Sequence, residues 1–176
     1  SCILFGDGAG ALAIEASNDQ SNLFGFNLRT DGERGSFLNL DNKKLNGEIT
    51  DQIKFRKGEF SNISMNGQEV YKFAVREVPI IINDLLKKTA FDSADIDWLI
   101  LHQANQRILD AVGERLKINK DKILTNLNKY GNTSAATIPL VFDEFIRNKK
   151  IKKNDIILTS GFGAGLSWGA ALLRWG

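Results

Sequence analysis

The order of apolar and polar positions along the chain predicts an alternation of strands and helices. Residues 3–16 and, near the other end, residues 156–173 each predict two apolar strands joined by a glycine-rich turn. From Gly67 onward, apolar side chains are spaced by three and four, which predicts a long helix that is kinked or broken at Pro79. The polar, irregular stretch at 18–62 predicts a strand followed by a long connection.

The second half of the chain continues the alternation. We predict a short strand at 98–101, a helix from about 105 to 116, a strand near 123–127 and another helix that ends near Asn148. This order is typical of an α/β layered domain. The two similar hairpins also suggest an internal duplication whose first copy lies mostly before Ser1.

Composition and charge narrow the class of protein. The net charge is only +2, so the sequence has no broad basic surface for nucleic acid. Its apolar runs are too short to cross a membrane, and its first residues do not form a secretory signal, which suggests a fragment. One cysteine and one histidine exclude a disulfide framework, make a metal site improbable and favour the cytoplasm.

Few residues are candidates for chemistry on sequence grounds alone. His102 ends a strand, where α/β folds place catalytic groups, although such a histidine is more often structural. Asn132 lies in a turn, where asparagine is common in any protein. Cys2 lies inside an apolar strand, which favours a buried and inert thiol over a nucleophile. The glycines at 161, 163 and 165 are equally compatible with an oxyanion site and an ordinary turn.

Four segments are distinctive when they are taken together. They are LFGDGAGA at 4–11, LHQANQRI at 101–108, YGNTSAA at 130–136 and SGFGAGLSWGAAL at 160–172. In this order and spacing they resemble the ketoacyl-acyl-carrier-protein synthase III family of the thiolase-like superfamily. The resemblance implies a layered α-β-α-β-α fold, with 1–17 closing the N-terminal half, 18–62 connecting, and 63–176 forming the C-terminal half.

The resemblance also implies roles for individual residues. His102 and Asn132 match the catalytic pair that stabilises an enolate, and the Ala164 backbone N–H matches an oxyanion-hole donor. The remaining matches are the substrate tunnel, at Met65, Gly67, Gln68 and Phe162, and the surface that binds the carrier protein, at Arg107 and Arg115. Glu114 stands where relatives often have another basic residue. No residue matches the family's nucleophilic cysteine, which belongs to the other half.

The implied activity is decarboxylative condensation of an acyl-CoA with malonyl-acyl carrier protein, without metal or bound cofactor, in a cytoplasmic homodimer. This chain alone is expected to be inactive and to expose an apolar surface where the other half packs. Two alternatives stay open. One is a related Cys-His-Asn condensing enzyme of secondary metabolism, and the other is a degenerate module that binds carrier protein without turnover.

Overall fold

A mixed sheet lies at the centre of the computed structural model, which describes residues 4–16, 22–40 and 62–176. The strands are β1 (Leu23–Thr30), β2 (Leu38–Asn39), β3 (Ser64–Met65), β4 (Trp98–Leu101), β5 (Ile123–Leu124), β6 (Ile156–Gly163) and β7 (Ser167–Arg174). The α-helices are α1 (Gly67–Thr89), α2 (Gln106–Leu116), α3 (Leu127–Tyr130) and α4 (Thr137–Arg147). These elements confirm the predicted α/β class and the predicted order from residue 67 onward, except that the strand predicted at 123–127 ends at Leu124 and is followed by the short helix α3, which was not predicted.

The five-stranded sheet has the order β1-β7-β6-β4-β5, and β2 pairs with β3 separately. Strand β4 runs parallel to β5 and β6, whereas β7 runs antiparallel to both β6 and β1. The predicted hairpin at 156–173 is therefore confirmed as β6 and β7. Because β4 and β6 are parallel neighbours, their carboxyl ends lie at the same edge of the sheet. The chain that follows β4 therefore leaves the sheet beside the carboxyl end of β6.

Alternating side chains of the sheet enter two different cores. Leu99 and Leu158 face the core made with α1 and α2, whereas their neighbours Ile100 and Ile157 face the core made with Val141 of α4. All five side chains are fully buried. This alternation is the period of a strand that is covered on both faces, and it gives a helix-sheet-helix arrangement.

Helix α1 is continuous through Pro79, so the predicted alternative of a break there is wrong, whereas a kink stays a prediction. A proline lacks the N–H that would donate to the carbonyl four residues earlier, here that of Val75. Arg115 of α2 fills this gap, since its Nη1 donates to the Val75 carbonyl over 2.8 Å. A side chain of a neighbouring helix therefore satisfies the acceptor that the proline leaves free.

The hairpin predicted at 3–16 is not formed in this chain. Residues 4–16 contain neither helix nor strand, apart from an isolated parallel bridge between Phe5 and Asn132. Strands need neighbours to pair with, and beyond this bridge the part of the chain that the structure describes provides no strand beside the segment. Ile14 is 93% exposed. Cys2 lies outside the described residues, as does most of the predicted connection, at 41–61.

Apolar side chains also remain exposed on the edge strand β1. Phe26 and Leu28 are 54% and 75% exposed, respectively. Apolar side chains are thus exposed both on β1 and in the segment 4–16, and the expectation that the other half of the protein packs on such a surface stays a prediction. Within the described ranges, no helix is long and apolar enough to span a membrane.

Candidate active site

A cleft of about 460 Å³ opens at the carboxyl edge of β4, between the tip of β6, the turn after α3 and the β2-β3 pair. Its lining brings together residues that are far apart in the sequence. Six of the predicted site residues line it, namely Met65, Gly67, His102, Asn132, Phe162 and Ala164. Gln68, Arg107 and Arg115 do not.

The HQAN segment places His102 at the end of β4. The backbone N–H of His102 donates to the Ser160 carbonyl on β6, which extends the ladder by one residue. Gln103 is fully buried, and its amide donates to the Leu101 carbonyl and accepts from the Thr125 hydroxyl, both over 2.7 Å. Asn105 then caps α2 by accepting the Ile108 N–H. The segment thus directs one side chain into the cleft and uses its neighbours as supports.

His102 is neutral at physiological pH. Burial lowers the pKa of His102 from 6.5 to about 4, because the imidazolium form loses its hydration. Its Nδ1 lies 2.8 Å from Thr137 Oγ1, at the start of α4. The ring also meets the Phe162 ring edge-on, with centroids 5.3 Å apart. Nε2 is therefore the ring nitrogen that remains for a ligand.

Asn132 is held in the cleft by its own backbone. Its N–H donates to the Leu4 carbonyl, and its carbonyl accepts the Gly6 N–H. The preceding Gly131 has φ 67°, a conformation that favours glycine. The side-chain Oδ1 of Asn132 accepts the Ser134 N–H over 2.9 Å. This bond leaves the Nδ2–H₂ group of a nearly buried asparagine available as a donor.

The wall opposite α4 comes from the β2-β3 pair and the start of α1. Met65 and Gly67 line this wall, whereas Gln68 is exposed and does not line the cleft; their role in a substrate tunnel stays a prediction. Asn39 of β2 also lines this wall, and its buried Oδ1 has no hydrogen-bond partner among the described residues. Tyr71, one turn into α1, completes the rim.

The two predicted carrier-binding arginines have different surroundings. Arg107 is exposed on α2, and its guanidinium carbon lies 5.1 Å from the ring centroid of Tyr71, at the rim of the cleft. Arg115 is also exposed, but it donates to the Val75 carbonyl. This hydrogen bond gives Arg115 a structural role.

Sequence reasoning missed Thr137, Tyr71 and Asn39 as site residues. Thr137 directly follows the YGNTSAA segment, and a hydroxyl at the start of a helix is a weak signal in its own right. Its pairing with His102 joins residues 35 positions apart, and the sequence carries no mark of it. Helical spacing places Tyr71 on the same face of α1 as Gly67, one turn earlier. This spacing indicates a site residue only after Gly67 is known to line a cleft.

Comparisons with known proteins match this arrangement. The family described as 3-oxoacyl-[acyl-carrier-protein (ACP)] synthase III C terminal matches residues 86–175, and the family 3-oxoacyl-[acyl-carrier-protein (ACP)] synthase III matches residues 1–32. Among solved structures, 3-oxoacyl-[acyl-carrier-protein] synthase III from Aquifex aeolicus is 38% identical, with a TM-score of 0.87 over 99% of this chain and 51% of that one. The enzyme from Thermus thermophilus is 32% identical, with a TM-score of 0.79 over 100% of this chain and 53% of that one.

Relatives in Prochlorococcus and Synechococcus are more similar in sequence. A beta-ketoacyl-[acyl-carrier-protein] synthase III of Prochlorococcus marinus strain MIT 9515 is 73% identical over the whole chain, and one of Synechococcus strain WH7803 is 56% identical over 99% of it. The chain spans 52% of the length of each. Its fold is the thiolase-like α/β fold of the matched structures. The chain therefore belongs to the 3-oxoacyl-[acyl-carrier-protein] synthase III family and corresponds to about half of such a protein, including its C-terminal region.

Proposed function

We propose that the intact protein starts fatty-acid chains by condensing an acyl-CoA with malonyl-acyl carrier protein and releasing carbon dioxide. One observation carries the proposal: His102 and Asn132 line the same cleft, and each has a neutral side-chain nitrogen that is free to bind a ligand. Two such donors suit one oxygen atom that gains negative charge. The naming of the similar proteins as synthases of this type supports the same reaction.

In the proposed decarboxylation, the thioester carbonyl oxygen of the malonyl group accepts hydrogen bonds from His102 Nε2 and Asn132 Nδ2. The bond to the carboxylate breaks, carbon dioxide leaves, and the electron pair moves into an enolate whose charge rests on that oxygen. Both donors then bind the enolate more strongly than the uncharged carbonyl, which lowers the barrier. A neutral histidine can do this without giving up a proton.

The condensation follows from the same arrangement. The enolate carbon attacks the carbonyl of an acyl group held as a thioester on the nucleophilic cysteine, which we assign to the other half of the protein. The tetrahedral oxyanion is stabilised by the backbone N–H of Ala164, a residue in the turn between β6 and β7 that lines the cleft. When the tetrahedral intermediate collapses, the cysteine thiolate leaves and the ketoacyl product stays on the carrier protein.

His102→Ala in the intact protein tests the first step. We expect decarboxylation of malonyl-acyl carrier protein to slow by about 10²- to 10³-fold, the usual effect of losing one oxyanion donor. Asn132→Ala should slow it by a similar factor, because its Nδ2–H₂ binds the same oxygen. Released carbon dioxide and the ketoacyl product are measured together, with each variant's thermal melt checked against wild type.

Asn148→Ala is the matched control, since Asn148 is an exposed residue at the end of α4, outside the cleft. It should leave the rate unchanged. Normal decarboxylation by His102→Ala would remove this histidine from the mechanism. If the wild-type protein releases neither carbon dioxide nor ketoacyl product from any acyl-CoA, the proposal fails and the degenerate binding module takes its place.

We further propose that Arg107 receives the acidic carrier protein. It is exposed on α2 and lies over Tyr71 at the rim of the cleft, so a carrier protein bound there would deliver its thioester arm directly past the rim. Met65, Gly67 and Gln68 remain the proposed contacts of that arm. Glu114, two turns further along α2, is also exposed, and its charge would weaken docking of an acidic partner.

The setting of the intact protein is also part of the proposal. We infer that the intact protein is a homodimer in the cytoplasm. We also infer that it holds no metal or resident cofactor, because the donors proposed here supply the electrostatic stabilisation that the reaction needs. Sedimentation of the intact protein tests the dimer. Activity that survives exhaustive treatment with chelator tests the independence from metal, and loss of activity restored by a metal ion would contradict it.

A further inference from the structure

Thr137 is the direct hydrogen-bonding neighbour of His102 and, like it, lines the cleft. It opens α4 and is 2% exposed, and its Oγ1 lies 2.8 Å from Nδ1 of the imidazole. Within the described part of the chain, that nitrogen is the hydrogen-bond partner of the hydroxyl. The contact is thus a buried pair in which one atom must supply the proton.

The position of the proton in this pair decides whether Nε2 of His102 is a hydrogen-bond donor or an acceptor in the cleft. A neutral imidazole carries one proton, on either Nδ1 or Nε2. If Nδ1 carries it, Nδ1–H donates to the hydroxyl oxygen, the buried hydroxyl proton loses its partner, and Nε2 presents a lone pair. If the hydroxyl donates to Nδ1, both buried groups are satisfied and Nε2–H becomes a donor.

The second arrangement is the one that the burial favours. A buried polar hydrogen without an acceptor is costly, whereas Nε2 in either state borders the open cleft. The Phe162 ring, edge-on at 5.3 Å between centroids, limits rotation of the imidazole out of this geometry. The hydroxyl, whose described hydrogen-bond partner is Nδ1, therefore sets the tautomer of the imidazole.

We propose that Thr137 is a positioning residue that holds His102 in the Nε2–H tautomer and thereby makes it a donor to the substrate thioester oxygen. This inference rests on the proposed function for its kinetic consequence. The part of the inference that concerns structure, namely which ring nitrogen carries the proton, does not depend on the reaction.

Two substitutions in the intact protein separate the hydroxyl from the shape of the side chain. Thr137→Val keeps the branched shape and removes the hydroxyl, whereas Thr137→Ser keeps the hydroxyl. We expect Thr137→Val to lower kcat for malonyl decarboxylation by about 10-fold or more with KM changed less than about 2-fold. Thr137→Ser should stay within about 3-fold of wild type. Equal losses in the two variants would reveal a packing role and overturn the inference.

The double variant His102→Ala/Thr137→Val provides a second kinetic test. If Thr137 acts only through His102, adding Thr137→Val to His102→Ala should cause no further loss of decarboxylation. A loss that multiplies with that of His102→Ala would overturn the inference.

Nitrogen NMR of the His102 imidazole in the wild-type protein shows directly which ring nitrogen carries the proton. We expect the Nε2–H form of His102 to dominate in wild type and in Thr137→Ser, and the Nδ1–H form to increase in Thr137→Val. A dominant Nδ1–H form in wild type would overturn the inference even if Thr137→Val does not fold. A wild-type protein with the Nε2–H form but no decarboxylation would refute the proposed function and leave the assignment of the tautomer standing.

Discussion

At the scale of a single residue, the burial of His102 links function to stability. Its pKa is about 4 in the folded protein and 6.5 in an unfolded chain. Between these values the unfolded state binds a proton that the folded state does not. The free energy of unfolding should therefore rise with pH across this window, with the contribution of this group complete above pH 6.5 and lost as the pH falls toward 4.

The expected contribution of His102 is a slope of up to about 1.4 kcal/mol per pH unit, reduced in practice because the ring borders an open cleft. His102→Gln in the intact protein should flatten the dependence between pH 4 and 6.5 relative to wild type, because glutamine does not titrate. Urea unfolding at several pH values measures the difference, in which the contributions of the carboxylates common to both proteins cancel. Parallel curves for the two proteins would contradict this expectation.

The sequence made His102 and Asn132 candidates because a family motif surrounds each of them, but it does not mark the residues that hydrogen-bond to them in the structure. Gln103 and Asn105 lie within the same motif as His102. In the structure, Gln103 makes buried hydrogen bonds to neighbouring segments and Asn105 caps α2. Thr137 is distant in sequence, and its contact depends on how α4 crosses the end of β4. Such pairings are set by the packing of elements, which local spacing does not encode.

At the scale of elements, the passage of α1 through Pro79 shows how tertiary contacts override a local rule. Proline costs a helix about 3 kcal/mol when its missing donor is not replaced. Here the acceptor that it frees, the Val75 carbonyl, is buried in a helix pair and receives Arg115 from α2. The helix spacing from Gly67 to Thr89 was predictable, but the continuity at Pro79 was not, because it depends on a residue 40 positions from Val75.

Arg115→Met in the intact protein should lower the free energy of unfolding by about 1–3 kcal/mol, since a partly buried carbonyl loses its donor. The loss should shrink in a Pro79→Ala background, where the alanine N–H can bond to Val75. Arg147→Met is the matched control, because Arg147 is exposed and, among the described residues, pairs with Asp143 on the same helix, a pair worth about 0.5 kcal/mol or less. Strictly additive losses from Arg115→Met and Pro79→Ala would contradict this coupling.

At the scale of the whole molecule, the exposed apolar residues and the missing first hairpin have one physical origin. Helix α4 covers the face of the sheet formed by β4, β5 and β6, whereas Phe26 and Leu28 of β1 remain exposed. The segment at 4–16 has the strand pattern but no strand beside it. Since the chain spans 52% of its relatives, the sequence pattern predicts pairings of the longer protein that these residues alone do not complete.

The same scale governs how a carrier protein would meet this cleft, and Arg107 provides the test. Arg107→Ala in the intact protein should raise KM for malonyl-acyl carrier protein by about 5- to 10-fold at low salt, with a smaller effect at high salt, because exposed charges act over a screened range. The rate with malonyl-pantetheine, which carries no protein, should not change.

Arg147→Ala, which removes another exposed arginine, from α4, is the control and should leave the kinetics with both substrates unchanged. An equal loss with malonyl-pantetheine and with the carrier protein would place Arg107 in the thioester arm's path instead of on the docking surface. A KM for the carrier protein that is indifferent to both Arg107→Ala and salt would mean that this rim does not receive it. The acidic partner would then have to approach the cleft over a surface formed by the other half of the protein.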